Sequence, residues 1–152
     1  MTDVRESILA RLVEIADGVS GVATAQRNPR QIDDIALPAI LIFDADEQVV
    51  DGESLMSKPN TSPAPLFIRQ TMLPEILIKV SGLPEDVGGA LNLLRSAFVK
   101  AVLTDGSLAA LTTNGGAIRY LGCATQLGHG RQMIGEMAVS IGLTYVLRPA
   151  DL

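Results

Sequence analysis

The chain has 152 residues, 47% of them apolar and 19% charged, with no Trp, three Phe and two Tyr. That fits one globular domain with a mainly aliphatic core and excludes a disordered chain. A net charge of −5 without a Lys/Arg cluster gives no electrostatic footprint for gripping nucleic acid, while leaving room for a protein that only surrounds it. A single Cys cannot form an internal disulfide. The opening "MTDVRES" lacks the basic and apolar segments of a signal peptide, and no run of 18 apolar residues occurs. The expectation is therefore no membrane span and a cytoplasmic address.

In chain order, residues 3–17 predict a helix, with Ile8, Leu12 and Ile15 on one face. Asp3 and Glu6 fit a capping-box start, and Gly18 fits the stop. Residues 21–27 predict a short strand, and "LPAILIF" at 37–43 a strand buried on both faces. Residues 44–65 read as a long irregular segment with five acidic residues and three prolines, with room for a brief strand at 48–50. Within it, 51–65 is expected to be a mobile loop, since loops of this length in compact domains are usually functional or mobile. Residues 66–80 return as a strand with Met72, Ile76, Ile78 and Val80 on one face and an edge, bulge or break at Pro74.

Residues 84–103 predict the second main helix, with Val87, Leu91, Leu94, Phe98, Ala101 and Val102 as its apolar stripe. "TTNGG" at 112–116 reads as a turn, because a phosphate-binding loop needs a following Lys and Ser/Thr. Residues 117–126 and 134–147 predict two antiparallel strands; from Met137 to Leu147 apolar side chains alternate at period two. The order of elements predicts a single α+β domain over 1–152, a mostly antiparallel sheet with two main helices packed on one face.

Two clusters invite a chemical reading. "ILIFDAD" at 40–46 resembles the haloacid-dehalogenase phosphatase motif, in which the first Asp attacks phosphorus and both bind magnesium. Against it, position 48 is Gln, and a Pro-rich loop and another strand follow in place of alternating strands and helices. The bland alternative for Asp44 and Asp46 is a solvated acidic loop. Cys123 and His129 form the second cluster. They flank an expected hairpin, with Gly128 and Gly130 at its turn, so a small apolar strand residue and an exposed turn residue are the simpler reading. No catalytic residue, metal site or cofactor site is assigned, and the chain is expected not to be an enzyme. Leu55, Met56, Leu66, Phe67, Ile68 and Met72 gather in or beside the polar loop, which is more typical of a protein contact surface; a loop folded back on its own core is the alternative.

The phrases "RESILARLVEIADGVSGVATAQRN", "LPAILIFDADEQ", "EDVGGALNLLRSAFVKAVLTD", "GGAIRYLGCATQLGHGRQMIGEM" and "LTYVLRPADL" cover nearly the whole chain. Together they resemble the minor tail proteins of phages and prophages of the tail-terminator, or tail-completion, type. The resemblance implies a structural protein of the virion tail, made in the host cytoplasm. Its α+β subunits assemble into a homo-oligomeric ring, commonly a hexamer. The ring caps the tail tube at its head-proximal end, terminates polymerisation of the tube protein and offers a surface to head-tail connector or neck proteins. DNA passes only through the lumen. The resemblance implies no enzyme activity, no cofactor and no membrane partner. Three alternatives stay open at this stage: a neck or head-completion protein, a magnesium-dependent phosphatase using Asp44, and a ligand-binding regulatory domain.

Overall fold

A computed structural model describes residues 3–50, 67–128 and 133–148. The elements run α1 (Val4–Asp17), β1 (Thr24–Arg27), β2 (Ala39–Phe43), β3 (Glu47–Val49), β4 (Ile68–Met72), β5 (Glu75–Gly82), α2 (Pro84–Thr104), α3 (Gly106–Leu111), a 3-10 turn at Thr113–Gly115, β6 (Ile118–Leu127) and β7 (Met133–Leu147). This is the expected α+β architecture: the described residues form seven strands in one mostly antiparallel sheet, with α1 and α2 as the main helices. The expected mobile loop at 51–65 lies outside the described residues, as do Leu55, Met56, Leu66 and His129.

The seven strands behave as five ribbons. Met72 of β4 faces Leu143 of β7, and Glu75 of β5 faces Ser140, three steps along each chain. The expected strand at 66–80 is thus broken at Leu73–Pro74, yet its two halves follow β7 in one unbroken register. Proline has no amide to donate to a ladder, so pairing lapses there without the chain changing course. On the far side of this ribbon, Phe43 of β2 faces Glu75 while Glu47 of β3 faces Met72. Four steps on one strand match three on the other, so Asp44, Ala45 and Asp46 hold one extra residue opposite the Leu73–Pro74 break. The acidic stretch interrupts a ribbon rather than ending one.

β1 pairs parallel to β2 at one margin, and β6 pairs antiparallel to β7 at the other. The 28–38 connection between β1 and β2 passes the face away from α1 and α2, where the buried Lys79 reaches the Ile32 carbonyl and Glu136, both at 3.4 Å. Ala39 and Leu41 share that face with Lys79 and are buried with it. This is why "AILI" has no exposed side.

The helices pack on the opposite face. Ile8, Leu9, Leu12, Ile15 and Ala16 of α1 are buried, as are Val87, Leu91, Leu94, Phe98 and Val102 of α2. They meet Ile40, Ile42, Met72, Ile76, Ile78 and the odd-numbered residues of β7 from Met133 to Tyr145. At Gly135 the helix comes very close, because a Cβ there would lie 2.3 Å from Val87 Cγ1 and 2.9 Å from Leu91 Cδ1. By length and composition α2 is apolar enough to cross a bilayer, but its apolar stripe is part of this core.

Caps and ion pairs fasten the helices. The Asp3 carboxylate accepts from the Arg5 amide at 3.1 Å. Glu6 does not complete the expected capping box; it accepts from Arg27 at 2.6 Å, because a guanidinium on the neighbouring strand offers a charged donor. Pro84, Glu85 and Asp86 open α2, where a missing amide costs nothing and negative charge suits the helix dipole. Asp105 closes α2 and caps α3 through the Leu108 amide, and Arg11 grips the same carboxylate from α1 at 2.6 and 3.0 Å. That pairing holds the Asp105 carboxyl below its ordinary pKa.

Candidate functional site

The Asp44 carboxylate is occupied. Arg27 Nε donates to Oδ1 and Nη2 to Oδ2, each at 2.7 Å, a bidentate pair between neighbouring ribbons. The Asp44 amide donates to Asn28 Oδ1, and the Asn28 amide to the Ile42 carbonyl. Asn28 sits in the left-handed region at φ 47°, which asparagine tolerates better than most residues. The hydrogen bond from Arg27 is the main cause that holds Asp44 below its ordinary pKa, and the same guanidinium lowers Glu6. Asp46 turns elsewhere. It lines a shallow hollow of about 250 Å³ with Ala45, Gln48, Thr71 and Leu73. The two carboxylates of the D-x-D therefore do not converge, and among the described residues no group of three or more His, Cys, Asp or Glu is placed to hold a metal ion.

A second polar knot joins the start of α1 to β3, β4 and β7. The buried Tyr145 hydroxyl donates to Glu47 Oε2, and the Gln70 amide, assigned with its nitrogen turned toward the carboxylate, donates to both Glu47 oxygens at 2.7 and 2.9 Å. Arg5 approaches Glu47 at 3.8 Å and donates to the Ala45 carbonyl at 2.6 Å. Burial, with the bond to Glu47 behind it, pushes the Tyr145 phenol above its ordinary pKa. Each polar group here has a partner, so the knot reads as a brace across three ribbons.

The expected contact residues separate. Phe67 is 59% exposed just ahead of β4. Met72 is fully buried in the core on the helix-covered face, and Ile68 is buried on the same side of β4. Alternation explains the difference, since Ile68, Gln70 and Met72 share the inward side of β4. Cys123 is exposed on β6.

Sequence reasoning did not single out the outer side of β6. β6 has β7 on one flank and no described strand on the other. From Cys123 to Leu127 every residue is exposed. The visible signal is composition: "GCATQL" carries neither charge nor proline. No protein-family model matches the chain, and no curated protein is significantly similar to it.

Proposed function

We propose that the chain is a structural subunit of the tail-terminator type, which assembles as a ring on the end of a phage tail tube. In this reading it stops tube polymerisation and presents the surface on which neck proteins join, while DNA passes through the lumen. The observation that carries the reading is the contrast on its surface. The Asp44 carboxylate, the expected nucleophile of the phosphatase reading, is tied into a bidentate ion pair with Arg27. Apolar and uncharged surface stands open instead, at Phe67 and along β6. Uncharged, partly apolar surface of this kind is what subunit contacts bury. The element order and phrasing described above support the same class.

The test is to add the purified protein to tube protein from the same virus as it polymerises, and to image the products by electron microscopy. Tubes of limited length with a ring at one end are expected, and Asp44→Asn should cap them as wild type does. Unlimited tubes with bare ends would contradict the reading. Magnesium-dependent phosphate release that Asp44→Asn abolishes would replace it with the phosphatase reading.

A further inference from the structure

We propose that the free edge of β6, residues 122–127, is a strand-addition site for a second copy of this chain, joining two subunits about a two-fold axis into one continuous sheet. This goes beyond the ring reading. A two-fold pair closes on itself, so it is a state of the free subunit rather than the repeating contact of a ring.

An outer strand presents unpaired main-chain donors and acceptors, and proteins usually guard it with charge, proline, a bulge or a short length. β6 is guarded over only half its course. Its register against β7 shifts between Tyr120 and Gly122, leaving Leu121 as a bulge, and Gly122 takes φ 128°, where a side chain is strained. Arg119 lies on the same guarded half. Beyond the bulge none of these devices recurs, and Cys123 to Leu127 are all exposed.

Length and charge select the occupant. The other outer strands, β1 and β3, span four and three residues, against ten for β6. Among the described strands, only β6 matches its own long, open edge. A chain of net charge −5 repels a second copy wherever its charges must meet, and 122–127 is neutral. Antiparallel pairing of a strand with itself needs no further element, because a two-fold axis generates it. Main-chain hydrogen bonds would supply the contact, as in other cases of strand addition.

The experiment measures the mass of the full chain in solution by light scattering over a dilution series, for wild type, Ala124→Lys and Gln126→Lys. Wild type is expected to approach twice the 16.0 kDa subunit mass as concentration rises. Each Lys variant brings like charges close to one another about the two-fold axis and should weaken pairing roughly two- to fivefold, with an unchanged circular dichroism spectrum. Gln126→Lys, at an exposed position and close in length, keeps the test open if Ala124→Lys folds poorly. Wild type that stays a single subunit up to roughly 100 µM, where even weak specific pairs populate, would overturn the proposal. So would pairs that both variants leave intact. Closed rings of free protein that the Lys variants do not disturb would overturn it too, while leaving the proposed function standing.

Discussion

At one margin of the sheet, β1 ends in Arg27, whose guanidinium is held by Asp44 and Glu6. At the other, β6 ends in six residues without a charge. β1 is short, runs parallel to its neighbour and has α1 close beside it through the Glu6 pair. β6 is long and antiparallel, with no described strand along its outer side. The first carboxylate of the D-x-D stretch pairs with Arg27, which also holds Glu6, so the pair joins two ribbons and a helix at the β1 margin. Among the described residues the β6 margin has no such ion pair past its bulge, and an edge of that length is where another chain is expected.

The largest effect separates core from surface beside β4. Met72→Ala should cost about 2–5 kcal/mol, since it empties a fully buried site, whereas Phe67→Ala should change stability by no more than about 0.5 kcal/mol. Urea unfolding of the two variants checks this. Equal losses would mean that Phe67 is packed and that the contact surface is elsewhere.

The bulge that divides the guarded and open halves of β6 comes next. Gly122→Ala forces a side chain into φ 128° and should cost about 1–3 kcal/mol, read by thermal unfolding. An unchanged midpoint would mean that the bulge relocates at no cost and that the boundary between the two halves is not fixed at Gly122.

The ion-paired β1 margin should respond to acid. Arg27→Ala should cost about 1 kcal/mol or less, because the pairs are partly solvated. Arg27 lowers the pKa of Glu6 and Asp44 in the folded state. Their contribution is therefore complete above the unfolded carboxylate values, near pH 4, and is lost as pH falls through the lower folded values. Chemical denaturation of wild type and Arg27→Ala should show a gap at neutral pH that narrows below about pH 4. A gap independent of pH would remove the carboxylates from the account of β1.

Much of this fold is legible in the sequence, because its signals are local. The 3.6-residue stripes of α1 and α2 and the strict alternation from Met137 to Tyr145 mark the buried faces directly. Pro74 marks the break between β4 and β5. The misplaced features are nonlocal. Glu6 and Asp44 meet Arg27 across 21 and 17 residues, and no spacing rule connects them. Parallel pairing of β1 with β2 likewise has no local signature. Met72 carried two readings, as a member of an apolar strand face and as a contact residue; periodicity was the better guide, because neighbours in sequence alternate between faces. The open edge of β6 was legible only as an absence of charge, which gains meaning once topology places the strand outermost.

Residue-resolved amide exchange, recorded at low and high protein concentration, tests the difference between the two margins most directly. The amides of 122–127 that point away from β7 should exchange quickly in dilute protein and slow as concentration rises, while those of Thr24–Arg27 keep the same rates. Concentration-independent exchange along β6, or an equal slowing at both margins, would contradict the account.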